Sequence, residues 1–222
     1  VHFSALTAPE QRVFGCLIEK RFTTPDQYPL SLNALRLAAN QATNRDPVVD
    51  YDELTINEAA QRLSRYGLVR LASGHSSRAV KYRHLAEEAL GVDAHQLSVL
   101  CVLLLRGSQT PGELKGRTER LAACDSLEQV DQVLEQLAGR GYVSAMARRP
   151  GQKEQRWAQL LGGNLPAEDP ATEPLDPESA APRAPSVGVV PQTSPTAIDP
   201  SDLAARVAKL EAEVAELREL LS

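Results

Sequence analysis

A mainly α fold with small β-hairpins (α+β) is predicted by three features of this 222-residue chain. The first is an internal duplication: Gly67-Leu68-Val69 recurs as Gly141-Tyr142-Val143, each after a helical pattern ending in Leu63 or Leu137. The second is a turn-flanked, β-rich pair of runs after each of those glycines. The third is an apolar spacing of 4, 3, 4, 3, 4 at the C-terminal end.

Each copy reads as three helices and a hairpin. Cys16-Leu17-Ile18 matches Cys101-Val102-Leu103, Leu35 matches Leu114, and Tyr82 and Leu85 match Trp157 and Leu160. The offset drifts between these pairs, so the first copy carries extra residues before its second and third helices. Thr7 to Glu10 and Thr110 to Glu113 have the capping-box spacing, in which hydroxyl and carboxylate satisfy free amides at a helix start. Pro111 suits a first helical turn, where a missing N–H costs nothing. Ser31 is the corresponding cap in copy one. The third helices are expected to start near Asp50 and Asp125. They stop at Gly67 and Gly141, which supply left-handed caps. The β-rich runs are Leu68 to Leu71 and Tyr142 to Ala145, with return runs ending at Leu85 and Leu160. Three helices followed by a two-stranded wing is the winged helix-turn-helix plan. The prediction is tandem winged helix-turn-helix domains, residues 5–88 and 89–162, plus a C-terminal coiled-coil helix.

Residues 163–198 are expected to be a disordered, Pro-rich acidic linker, since prolines abound between residues 166 and 200 and no aromatic follows Trp157. Such a composition cannot bury enough apolar surface to offset chain entropy. Order returns at 199–222, where Asp199-Pro200 is a good helix start. Val207, Val214 and Leu221 fall at a positions and Leu203, Leu210 and Leu217 at d, a pattern suited to a parallel homodimer. Arg206 would face Glu211 of a second copy, and Glu213 would face Arg218. The same stripe also suits an amphipathic helix docking on its own body.

The run Gly15-Cys16-Leu17-Ile18-Glu19-Lys20, with Thr23-Thr24-Pro25-Asp26, Tyr28-Pro29-Leu30-Ser31-Leu32-Asn33-Ala34-Leu35 and Asn44-Arg45-Asp46-Pro47-Val48, resembles the YceH-like family of bacterial proteins. Thr110-Pro111-Gly112-Glu113-Leu114 matches as well. The resemblance covers about residues 5–162. It implies a tandem winged-helix fold in a bacterial cytoplasmic protein and carries over no catalytic residue.

Several function classes find no support in the residues. No run approaches the ~18 apolar residues of a membrane span, so no membrane association is expected. Cys16, Cys101 and Cys124 form no C-x-x-C pair and read as small buried hydrophobes of a reducing cytoplasm. The four histidines lack metal-ligand spacing, and no metal or cofactor is expected. Nucleotide-loop, zinc-protease and nucleophile-elbow motifs are missing, so the chain is expected not to be an enzyme. Arg45-Asp46 reads as an ion pair or Asx-type turn fixing the long loop ahead of Pro47.

The net charge of −5 conceals an uneven distribution. The tail from residue 163 is strongly acidic, whereas residues 1–162 are slightly basic. In the usual winged-helix mode the third helix enters the major groove and the wing touches the backbone. Here the third helices are acidic: Asp50, Asp52, Glu53 and Glu58 outnumber Arg62 and Arg65, while Asp125, Glu128, Asp131 and Glu135 have no basic neighbour. The wings are basic, with Arg70, Arg78, Lys81 and Arg83 in the first and Arg148, Arg149, Lys153 and Arg156 in the second. Two partners fit this distribution. Double-stranded DNA would be gripped by its phosphates through these eight residues, wing first. Alternatively, an adaptor would present its acidic third helices to a basic protein partner. Tyr82 and Trp157 occupy equivalent strand positions, expected to be core aromatics rather than base-stacking platforms.

Overall fold

The computed structural model describes residues 5–72, 80–148 and 154–163. The linker from residue 164, the helix at 199–222 with its seam of Leu203, Val207, Leu210, Val214, Leu217 and Leu221, and the wing residues Arg78, Arg149 and Lys153 lie outside the described residues.

Mixed helices and small antiparallel sheets make up the fold. The first half runs α1 (Ala8–Thr23), β1 (Leu30–Ser31), α2 (Leu32–Ala39), α3 (Glu53–Arg65), β2 (Val69–Ala72) and β3 (Lys81–His84). After α4 (Ala86–Leu90), the second half runs α5 (Ala94–Arg106), α6 (Pro111–Thr118), α7 (Leu127–Gly139), β4 (Val143–Ala145) and β5 (Trp157–Gln159). The order helix, helix, helix, hairpin therefore occurs twice, as the duplication predicts.

The caps follow from local chemistry. Thr7 donates its amide to Glu10 Oε2 at 2.7 Å, closing the first capping box. Thr110 donates to Glu113 Oε2 at 2.9 Å, and the Glu113 amide returns to Thr110 Oγ1 at 3.2 Å. Ser31 caps α2 through the Ala34 amide. The third helices start slightly later than Asp50 and Asp125. Asp52 caps α3 by accepting from Thr55 at 2.8 Å, and Ser126 caps α7 by accepting from Gln129. Asp50 Oδ1 instead accepts from the Asn40 side chain, and the Asp125 amide donates to Gln129 Oε1. Gly67 and Gly141 both have φ of 74°, a conformation that costs glycine little and other residues more.

β3 lies between β1 and β2, making the first sheet three-stranded; the second holds β4 and β5. β1, α4 and a further capping box at Asp93–Gln96 extend the predicted plan. The described residues of both halves feed one hydrophobic core cluster. Its spine is α1 against α5, the first helices of the two copies. Gly15 permits this contact, because a Cβ there would sit 2.8 Å from Leu105 Cδ2. Residues far apart along the chain close the same unit: the Leu6 amide donates to the Leu161 carbonyl at 2.8 Å. Cys16, Cys101 and Cys124 are free and buried. No helix among the described residues is long and apolar enough to cross a membrane.

The connection from α2 to α3 is longer than its counterpart after α6, as the drifting offset predicts. Two arginines hold it. Arg12 donates to the carbonyls of Ala39, at 3.0 Å, and Pro47. Arg45 donates to both Glu19 oxygens, at 2.9 and 2.6 Å, and to the carbonyls of Ala38 and Asn44. The ion pair expected to fix this loop therefore joins Arg45 to α1 and not to its neighbour Asp46.

Candidate nucleic-acid interface

β2 and β3 pair in a register that sorts charge from core. Val69 faces His84 and Leu71 faces Tyr82, while Arg70 faces Arg83 and Ala72 faces Lys81. Successive side chains alternate between sheet faces. One face thus carries Val69, Tyr82 and His84, all buried, together with Leu71, which is exposed. The other carries Arg70, Lys81 and Arg83, and Ser31 of β1 joins it opposite Lys81. Among the described residues none of these three cations has an ion-pair or hydrogen-bond partner, and Arg70 is exposed. Like charges directly opposite on a sheet destabilise it.

The core face is equally defined. Tyr82 is 4% exposed and donates its hydroxyl to Asn57 Oδ1 at 3.2 Å. Trp157 packs against the core, its amide and carbonyl bridging to Gln109. Tyr82 is thus a core residue, and Trp157 is partly buried against the core. His84 is wholly buried, with Nδ1 accepting from the Ala86 amide. Burial, helped by the nearby Arg21 charge, pulls its pKa down to about 4.

The second hairpin is arranged differently. Arg156 donates Nη2 to Glu113 Oε2 at 2.9 Å and to the Ser108 carbonyl at 3.0 Å, with Nε on the same carbonyl at 3.3 Å. Its guanidinium is thus committed inside the second half, tying β5 to the cap of α6. Arg148 is exposed and has no partner among the described residues. The eight wing cations read from the sequence accordingly separate into a basic face on the first hairpin, an exposed Arg148, a tethered Arg156 and three outside the described residues.

The third helices also differ. On α3, Arg62 Nε pairs with the buried Glu10 of α1 at 2.7 Å, so one of its two cations is spent inward. On α7, Glu128, Asp131 and Glu135 are all exposed and share one helical face by their spacing. No described cation pairs with any of them. Sequence reasoning missed the inward commitments of Arg62 and Arg156, because their partners lie far away along the chain.

Taken together, the chain is a mixed α+β protein of two similar helix–hairpin halves with opposite charge on different elements. It belongs to the family described as "Protein of unknown function, DUF480", which matches residues 6–152. The YceH-like resemblance agrees with that membership. The chain is 43% identical over 213 residues to a UPF0502 protein of Solibacter usitatus, covering 96% of this chain and 93% of the relative. It is 43% identical over 219 residues to a UPF0502 protein of Dechloromonas aromatica, covering 97% and 94%. A UPF0502 protein of Aeromonas hydrophila is 48% identical over 161 residues, covering 70% and 74%.

Proposed function

We propose that each half is a winged helix-turn-helix domain, and that the chain is a non-enzymatic protein that associates with double-stranded DNA through backbone phosphates. The observation that carries this reading is the outer face of β2–β3. Arg70 and Arg83 oppose each other there, and Lys81 stands two residues along from Arg83. Phosphate oxygens would relieve the repulsion among these cations and complete their unmet hydrogen bonding. Contacts of this kind position a duplex without reading its sequence. The acidic face of α7 argues against groove insertion by that helix, since phosphates line both edges of the groove. Arg78, read from the sequence as part of the same wing, would extend the grip, and Arg148, Arg149 and Lys153 would add a second basic wing. Retardation of a mixed-sequence duplex at low salt tests the reading, and no retardation of any duplex removes it.

A second reading is favoured by the exposed stripe of Glu128, Asp131 and Glu135. An adaptor would present this face to a basic protein, with the C-terminal seam supplying homodimerisation and avidity. Substituting the three acids by Gln should then abolish capture of that partner while leaving duplex retardation intact.

A further inference from the structure

A polar cleft of about 420 Å³ opens where α1, the 41–44 connection, α5 and α6 meet. Its size suits a small ligand. Four cations line it: Lys20 from α1, Arg106 from α5, Arg117 from α6 and Arg120 from the turn that follows α6. The carboxylates nearby neutralise them only in part. Glu19 is held by Arg45 through both of its oxygens, so its contact with Lys20 is a long 3.4 Å. Burial pushes the Glu19 carboxyl up, but the hydrogen bonds and charge of Arg45 outweigh this and keep it low. Arg117 reaches Glu113 only at 3.6 Å, and that carboxylate already accepts from Arg156 at 2.9 Å. Arg106 bonds a neutral group, Asn44 Oδ1. Arg120 has no partner among the described residues, and only Glu119 adds a further negative charge to the wall.

Helix ends offer a simpler explanation for cations in this place, because last-turn carbonyls attract positive charge. Those carbonyls are largely saturated. Thr23 Oγ1 donates to the Glu19 carbonyl at 3.0 Å, and the Thr24 amide to that of Lys20 at 3.0 Å. Gly107 closes α5 on the Leu103 carbonyl. The positive field in the cleft is left for an external anion. Two guanidiniums and an ammonium on different walls match the several oxygens of a phosphate better than one carboxylate.

We propose that this cleft binds the phosphate group of a small phosphorylated ligand, with Arg106 and Arg117 as its principal donors and Lys20 and Arg120 at its edges. The site is separate from the β2–β3 face and needs no nucleic acid. The test uses the full chain with inorganic pyrophosphate as probe, read by calorimetry and by thermal shift against chloride at matched ionic strength. Saturable binding and a raised midpoint are expected. The R106Q/R117Q double variant should weaken binding by about tenfold or more, the scale of losing charge-assisted bonds to phosphate. Arg120→Gln, at an exposed and unpartnered position, tests the same site without risk to folding and should weaken binding measurably. An R70E/K81E/R83E variant should keep pyrophosphate affinity, which distinguishes the cleft from the hairpin. Absence of saturable binding overturns the proposal. So does an affinity equal to that of the native chain in both the Arg120→Gln variant and the double variant. Loss of affinity only in the hairpin variant would assign the phosphate to the duplex-binding face and also overturn it.

Discussion

Arg156 Nη2 and Glu113 Oε2 lie 2.9 Å apart, and that oxygen also accepts the Thr110 amide that starts α6. One carboxylate therefore fixes a helix start and the root of the second hairpin together. Its other oxygen lies 3.6 Å from Arg117. The first hairpin has no such tether among the described residues; on its basic face Arg70 is exposed and Lys81 and Arg83 are half-buried. The two copies have the same element order but have allotted their charges to different tasks.

Replacing Glu113 by Ala removes a cap and leaves Arg156 without its carboxylate. The expected loss is about 1–3 kcal/mol in chemical denaturation. Glu113→Gln should recover part of it, because its amide oxygen still accepts from Thr110.

Repulsion between Arg70 and Arg83 predicts a trade of stability against function. Each single change to Glu should stabilise the fold by roughly 0.2–1 kcal/mol, the range of a cross-strand pair. The same change should weaken duplex binding. Paired denaturation and binding measurements on Arg83→Glu check both signs.

The pair of Glu19 with Arg45 is a stability element. Arg45 has no side-chain exposure and Glu19 has 13%. Glu19→Gln leaves a buried guanidinium without its counter-charge, which costs about 3–5 kcal/mol. In the native chain the Glu19 carboxyl is held below its ordinary value, so its contribution is present above the unfolded carboxylate pKa and fades as pH falls through the folded one. Thermal midpoints measured in acid should fall more steeply for the native chain than for Glu19→Gln.

His84 adds a second acid-sensitive window. With its folded pKa near 4 against an ordinary 6.5, the unfolded chain binds the extra proton between those values. Stability from this group is therefore full above about pH 6.5 and declines toward pH 4. A His84→Gln variant, weaker overall for the buried bond it loses, should show a flatter pH profile across that interval.

The local part of the fold was legible in the sequence for a physical reason. Capping boxes at Thr7–Glu10 and Thr110–Glu113 are bonds between residues three apart, and Gly67 and Gly141 announce their own backbone conformation. The Asp93–Gln96 box is a bond of the same local kind, closed by Gln in place of Glu just after the junction of the two copies. β1 was not legible, since two residues after Pro29 show no alternation. At the candidate interface, counting charge treated every cation of the wings and third helices as free, and two of them are paired inward. Arg156 is cancelled by Glu113 and Arg62 by Glu10, pairings across 43 and 52 positions that no local pattern encodes.

The central claim is phosphate contact through the outer face of β2–β3. Duplex affinity measured by fluorescence anisotropy across a salt series tests it most directly, comparing the native chain with R70E/K81E/R83E. Each neutralised phosphate contributes roughly 0.9 to the slope of log affinity against log salt. The account predicts steep weakening with salt for the native chain and a slope shallower by roughly 2–3 for the triple variant, with little sequence preference in either. An unchanged affinity and slope in the triple variant, with its fold intact, would contradict it.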